Sequence, residues 1–394
     1  MLQFASMRRT IGIVTVARSD WGHLLPLLHE IRASPDLDLA LFVAGGHLAP
    51  RFGRTVTFIE DAGWKIDERV EMQLDSDAPE VIARAIGIGT IGFVDALSRT
   101  RPSVLVVLGD RFEMLSAAVA ALPLMVPLAH IHGGEVTEAV IDEQIRHAIT
   151  KLAHVHFPAS EPYARRLRQM GEEPWRIHVC GAPGLDRFQS MSFLSRDELA
   201  TRLGVPLRRP TLLVTFHPVT LVPGESERHV TELLGALEPV DADVVITSPG
   251  VEVDSLGIVE GFNTFAGRHS RARFVSSLGD EVYGSLLRQV DAMIGNSSSG
   301  LIEAPSFALP VVNIGDRQRG RLRAANVIDV GHGRAEIAAG IARALDPAFR
   351  RGLAGLANPY GDGHAAPRIV RVLRELDLGP RLLRKRFTDL ESAG

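Results

Sequence analysis

The run Val104–Leu108, VLVVL, carries no polar residue on either face. Side chains along a strand alternate between two faces, so such a strand must be covered on both sides. That is the signature of a parallel sheet layered with helices. The surrounding pattern agrees. Thr10–Val16 is β-rich, Trp21–Ile31 has leucines at helical spacing, and Leu37–Val43 and Pro127–Ile131 read as further strands. Ile141–Ala153 reads as a helix with Ile141, Ile145, Ile149 and Leu152 on one side. Short apolar strands alternating with helices predict an α/β fold with helical crossovers.

The theme restarts after about Pro183. Thr211–Phe216, Val244–Thr247, Val290–Ile294 and Pro310–Ile314 are strand candidates, each near a helical stretch. With 394 residues the chain is too long for one ordinary core and suits two domains. The boundary falls between about Gly184 and Pro206, and Leu207–Pro210 (LRRP) looks like the polar entry to the second unit. The expected division is 1–185, 186–364, and a C-terminal helix and tail, 365–394, packing back on the first domain. The last helix falls near Ala365–Leu376, and the basic stretch Arg381–Arg386 reads as a solvated tail. Two such domains commonly face each other across a cleft, with ligands beyond the carboxyl ends of the strands.

Net charge is −4, from 43 Lys+Arg against 47 Asp+Glu, which argues against a general nucleic-acid or membrane-surface binder. The single cysteine, Cys180, permits no intrachain disulfide and fits a reducing compartment. No apolar run is read as a membrane span, and the start lacks a secretory core. The expected location is the cytoplasm.

The polar motifs follow strands. Gly295–Arg317, GNSSSGLIEAPSFALPVVNIGDR, places Ser297, Ser298, Ser299 and Gly300 where a helix opens. Unpaired amides and the helix dipole there suit a phosphate, and Glu303, one turn on, suits two ribose hydroxyls. Serine-rich helix starts are also common caps. After the first strand, either Arg18 meets a phosphate, or Ser19 or Asp20 caps the helix and Arg18 is solvated. Asp110 and Arg111 follow VLVVL; a carboxylate there can exchange protons, or cap the helix near Glu113 with Arg111 as ion-pair partner. His130, His132 and Glu135 form HIHGGE, and Asp142 and Arg146 share a helix face. A metal site is disfavoured, since HExxH is absent; His130 reads as a satisfied buried histidine, and His132 and Glu135 as acid–base or substrate contacts. His217, in FHP, could bond a diphosphate. Neither GxGxxG at the first strand nor GxxxxGK[ST] is present, which disfavours a dinucleotide enzyme and an ATPase. NPYGDG, Asn358–Gly363, reads as punctuation before the last helix.

VARSDWG, LGDRFE, HIHGGE, IDEQIRHAITKLAH, FHPVT and GNSSSGLIEAPSFALPVVNIGDRQ resemble the hydrolysing UDP-N-acetylglucosamine 2-epimerases of sialic- and nonulosonic-acid pathways, over about Thr10–Leu376. The resemblance implies two Rossmann-like domains facing across a cleft, of the GT-B type, with a UDP-sugar substrate. It implies no cofactor and no required metal, and a homodimer or homotetramer. It places Arg18 and His217 on the diphosphate, with Asp20 as the acidic neighbour. Asp110 matches the acid of the GDR motif, with Arg111 beside it. Ser297, Ser298 and Glu303 match the nucleotide site, Arg317 the arginine of the GxRQ turn, and Asp142 and Arg146 an IDDSIRH-type helix. Two departures stand out. His132 occupies the place of glutamate in HxEGG, so Glu135 takes over its role or His132 serves itself. His23 stands where some relatives have lysine.

The implied reaction has two stages. A base removes the C2 proton as UDP leaves C1, giving a 2-acetamidoglucal; water then adds to C1 and C2 is reprotonated on the other face. Asp110 leads as one acid–base group, and Glu135, His132 and Asp142 compete for the second. UDP-N-acetylglucosamine is the default substrate, with a 2,4-diacetamido-trideoxy sugar competing. The alternatives are a non-hydrolysing epimerase, a GT-B glycosyltransferase and a non-catalytic UDP-sugar sensor.

Overall fold

The structure, a computed structural model, describes residues 8–50, 54–73, 75–76, 78–137, 141–218, 224–249, 255–276 and 278–389. Residues 1–7 of the expected leaderless start, 219–220 of FHPVT and 390–394 of the tail lie outside them. The chain forms two compact units. The first takes Met1–Glu135, Ile141–Arg187 and Tyr360–Gly394; the second takes Val136–Val140 and Phe188–Pro359.

The first unit runs β1 (Arg9–Thr15), α1 (Arg18–Ala33), β2 (Leu37–Ala44), α2 (Val56–Asp61), β3 (Glu68–Val70), α3 (Pro79–Thr100), β4 (Val104–Leu108), α4 (Phe112–Ala121), β5 (Leu128–Ile131), α5 (Asp142–Leu152), β6 (Val155–Phe157) and α6 (Glu161–Gln169). VLVVL is β4, buried at every position. The sheet is wholly parallel, in the order β3-β2-β1-β4-β5-β6. The order reverses between β1 and β4, where a crevice opens beyond the strand ends in doubly wound folds.

A single turn, α7 (Arg187–Ser190), lies at the crossing. The second unit follows with α8 (Arg196–Leu203), β7 (Thr211–Thr215), α9 (Ser226–Leu237), β8 (Asp243–Thr247), α10 (Ser255–Arg268), β9 (Ala272–Val275), α11 (Gly279–Gln289), β10 (Ala292–Gly295), α12 (Ser299–Ile302), β11 (Val311–Ile314), β12 (Val327–Val330), α13 (Arg334–Leu345) and α14 (Pro347–Gly352). Its sheet order, β12-β11-β10-β7-β8-β9, repeats the first topology, with reversal between β7 and β10.

The chain then returns. α15 (Ala365–Glu375) and α16 (Pro380–Leu383) belong to the first unit. The NPYGDG turn is this crossing. Asp186 caps α15, accepting from the amides of Ala365 and Ala366 at 2.9 and 2.6 Å. Arg9 donates to the carbonyls of Leu373 and Leu376.

Three expectations are corrected. The basic stretch 381–386 is docked: buried Arg176 donates to the carbonyls of Arg381, Leu382 and Arg384, and Lys385 pairs with Glu172 at 2.8 Å. Buried carboxylate and guanidinium groups need partners, and the tail supplies them. A second correction concerns α3. Over 22 residues its most apolar window reaches a mean hydropathy of 1.5, so a segment long and apolar enough to span a bilayer is present by length and composition. Here α3 packs on α4: Ser116 Oγ donates to the carbonyl of Ile86, and Phe93 and Leu97 are buried. Finally, Ile141 lies just before α5 and is 59% exposed, so it does not share the buried face of Ile149.

Candidate active site

In the first unit the predicted residues gather at the β1/β4 reversal. Asp20 sits in the first turn of α1, Asp110 just past β4, and Asp142 and Arg146 at the start of α5. Arg146 is 1% exposed and ties Asp110 to α5. It donates to Asp110 Oδ2, to Glu143 Oε2 at 2.7 Å and to the carbonyl of Glu135 at 3.1 Å. Arg111 precedes α4 and binds Glu113 with a two-pronged contact, at 3.2 and 3.0 Å. Arg18 is the first residue of α1, its guanidinium 5.6 Å from the centre of the Phe58 ring.

Two carboxyls here hold protons unusually well. Burial pushes Asp20 up to about 6, against the pull of Arg111. Its Oδ2 is buried and finds no hydrogen-bond partner among the described residues. Asp142 is also pushed up to about 6, by burial and by the neighbouring Asp110 charge, while Arg111 and Arg146 pull it down. A carboxyl that exchanges protons near neutrality suits general acid–base work.

β5 ends at Ile131 because His132 turns left-handed, with φ +66. Its Nδ1 meets Glu135 Oε1 at 2.6 Å, so the two residues competing for one role form a pair. Strained backbone of this kind for a residue other than glycine clusters at functional sites. Gly134 follows at φ +79, and a Cβ there would lie 2.5 Å from the carbonyl of Tyr163. His130 is fully buried. Its Nε2 donates to the carbonyl of Gly109 at 2.7 Å, which leaves Nδ1 to accept from Thr150 Oγ1 at 3.2 Å. Burial drops its pKa to about 3, so it stays neutral and structural.

In the second unit the motifs gather at the β7/β10 reversal. The organiser is Asn296, fully buried at the end of β10. Its Oδ1 accepts from the amide of His217 at 2.7 Å, and its Nδ2 donates to the carbonyl of His217 at 2.8 Å. Its own carbonyl accepts from Gln318 Nε2 at 2.9 Å and from Arg317 Nη1 at 3.3 Å. His217, the serine turn and the Arg317 loop are thereby fixed together. Gly295 must be glycine: at φ +141 a Cβ would stand 1.9 Å from the carbonyl of Thr215.

The serine turn differs from expectation. α12 has four residues and passes into a 3-10 turn, Ala304–Phe307, so little helix dipole accumulates behind Ser297 and Ser298. Ser299 is engaged inside the protein: its hydroxyl donates to Glu303 Oε2 at 2.5 Å and accepts from Tyr283 at 2.7 Å. Gly300 packs on β11, where a Cβ would lie 2.8 Å from Val311 Cγ1. Glu303 is 5% exposed. A groove of about 930 Å³ between α9 and α10 shares no residue with either cluster.

Asn296 and Gln318 lie inside recognised motifs, but nothing in the pattern marks them as clamps. Tyr283 comes from α11, far from any motif, and Glu143 was legible only as an acidic neighbour of Asp142.

The UDP-N-acetylglucosamine 2-epimerase family model matches residues 29–374. The chain belongs to that family. Among its relatives, the GDP/UDP-N,N'-diacetylbacillosamine 2-epimerase (hydrolyzing) of Campylobacter jejuni is 38% identical over 324 residues, covering 82% of this chain and 84% of the relative. The UDP-N,N'-diacetylbacillosamine 2-epimerase (hydrolyzing) of Legionella pneumophila is 35% identical over 380 residues, covering 96% and 99%. Among solved structures, a Neisseria meningitidis UDP-GlcNAc 2-epimerase bound to UDP-GlcNAc superposes with a TM-score of 0.81 at 17% identity, covering 93% of this chain and 100% of that one. The epimerase fold, two Rossmann-like domains of the GT-B type, is thus the fold of this chain.

Proposed function

We propose that this family member is a hydrolysing 2-epimerase, converting a UDP-linked 2-acetamido sugar and water into UDP and the free sugar inverted at C2. The observation that carries the reading is the carboxyl pair at the β1/β4 reversal, where Asp142 holds a proton near neutrality beside Asp110, itself held by Arg146. Two acid–base groups of different proton affinity are what abstraction and return of one C–H proton require.

Asp110 takes the C2 proton while the C1–oxygen bond breaks and the electron pair leaves with the diphosphate. Arg18, His217 and the serine turn stabilise that departing charge. In the second stage the oxygen of water bonds to C1 and Asp142 delivers its proton to the other face of C2. Water's remaining proton restores the carboxyl, and the one on Asp110 passes to solvent. The His132–Glu135 pair orients the water. Arg317 serves the diphosphate, and Glu303 receives the ribose hydroxyls.

The names of the Campylobacter and Legionella relatives favour a 2,4-diacetamido-trideoxy sugar over N-acetylglucosamine. Incubating the protein with each UDP-sugar in heavy water and following products by NMR tests both points. The expected result is free sugar with deuterium at C2, and faster turnover of the diacetamido substrate. Sugar still attached to UDP, or released without deuterium, overturns the hydrolysing epimerase.

We also infer a homodimer or homotetramer working in the cytoplasm. Ile91 on α3, Val119 on α4, and Leu122 and Met125 beyond it are exposed apolar residues of a kind that self-association covers. Light scattering that finds only monomer overturns the oligomer.

A further inference from the structure

We propose that Tyr283 is a positioning residue for the nucleoside, fixing Glu303 through Ser299 so that the site selects ribose over deoxyribose. The inference rests on the reading of the second unit as the UDP site.

The geometry is a chain of two hydrogen bonds reaching from α11 across the serine turn. Tyr283 OH donates to Ser299 Oγ at 2.7 Å, and Ser299 Oγ donates to Glu303 Oε2 at 2.5 Å. A serine hydroxyl has one proton and lone pairs to spare. Its proton is committed to the carboxylate, and the phenol fills the acceptor side. Each bond polarises the next, so the phenol strengthens the grip of Ser299 on Glu303.

Glu303 needs such support. It follows a helix of one turn and opens a 3-10 turn, so no long helix fixes its side chain. It is nevertheless 5% exposed, and a carboxylate that far from water must be held by donors. An acceptor that distinguishes two ribose hydroxyls from one has to stand in a single orientation before the ligand arrives, or affinity is spent in ordering it. Ser299 therefore acts on the nucleotide through Glu303, and Tyr283 acts through Ser299.

The test is calorimetric titration of the full chain with UDP and with 2′-deoxy-UDP, for the wild type, Tyr283→Phe and Ser299→Ala. Thermal melting checks that each variant is folded. Tyr283→Phe keeps the ring and removes only the hydroxyl. The wild type is expected to bind UDP about tenfold more tightly than 2′-deoxy-UDP, as loss of a hydrogen bond to a charged group implies. Tyr283→Phe should weaken UDP several-fold, leave 2′-deoxy-UDP nearly unchanged and shrink that ratio, and Ser299→Ala should shrink it further. An undiminished ratio in Tyr283→Phe overturns the relay while leaving the nucleotide site standing. A wild type that binds neither nucleotide overturns the site itself, and the relay with it.

Discussion

The Asn296 side chain grips His217 by its backbone from both sides, accepting from the amide at 2.7 Å and donating to the carbonyl at 2.8 Å. It thus behaves as one more rung of the sheet, placed just after β7 ends. Asn296→Ala leaves both groups of His217 without that partner and loosens the turn. The expected cost is about 1–3 kcal/mol of stability for such unmet groups. UDP affinity should fall about as far as in His217→Ala. Asn296→Asp keeps the shape but cannot donate, so it should fall between wild type and alanine. Melting and calorimetry on the three variants check this; unchanged UDP affinity in Asn296→Ala would remove the clamp from the functional account.

Asp110 and Arg146 call for different substitutions. Arg146 is buried and bonds both Asp110 and Glu143, and removing it takes a charged partner from each carboxylate, at roughly 3–5 kcal/mol. Asp110→Asn keeps the shape at the strand end. Turnover should drop by about 10²–10⁴-fold, the usual worth of a general base. UDP affinity should stay within about twofold, because Asp110 is assigned to the sugar's C2 and to no nucleotide contact. Steady-state rates beside titrations check the split, and full turnover in Asp110→Asn would remove the base assignment.

Asp142 acts after UDP has left, so its loss should stall the second stage alone. Asp142→Asn is expected to release UDP while 2-acetamidoglucal appears in solution. NMR of the reaction mixture distinguishes this from a uniform slowing of both stages, which would place Asp142 outside the proton-return step.

Asp20 offers a stability test with a definite sign. Its folded pKa, about 6, lies above the ordinary value of 3.8, so the native state holds this proton more tightly. Native stability then falls as pH rises between those values and is level above them. A shift of that size corresponds to roughly 3 kcal/mol. Asp20→Asn cannot ionise, so relative to wild type it should gain stability from pH 4 to 6 and hold the gain above. Denaturant melts at pH 4, 6 and 8 measure it. A gain that is largest at pH 4 would contradict the burial argument.

Much of this architecture was legible because buried parallel strands leave an unbroken apolar signature. Val104–Leu108 is the strand to the residue, β1 is displaced by one residue at each end, and β2 and β5 differ from expectation by one residue at one end. The edge strands were not legible. β3, β6, β9 and β12 run for three or four residues, and β3, Glu-Arg-Val, carries two charges that an edge tolerates. α3 is masked by Gly87, Gly89 and Gly92, poor helix formers, of which the last two serve close packing: a Cβ on Gly89 would lie 2.5 Å from Met72 Cε and one on Gly92 2.7 Å from Val70 Cγ1. The same divide runs through the site. Charged residues at strand ends announce themselves by position, whereas a clamp such as Asn296 acts on backbone, and a support such as Tyr283 comes from another helix; neither leaves a local mark.

The first unit closes with segments made after the second. Its buried Arg176 finds carbonyl partners at Arg381, Leu382 and Arg384, and Asp186 finds its amides at Ala365 and Ala366. While the ribosome is still translating the second unit, the first must therefore wait, with Arg176 hydrogen-bonded only to Glu173 and the carbonyl of His154 and with Asp186 lacking those two amides. A premature stop codon just after Pro359 would spare every strand of the second unit and yet damage the half of the enzyme that was synthesised first.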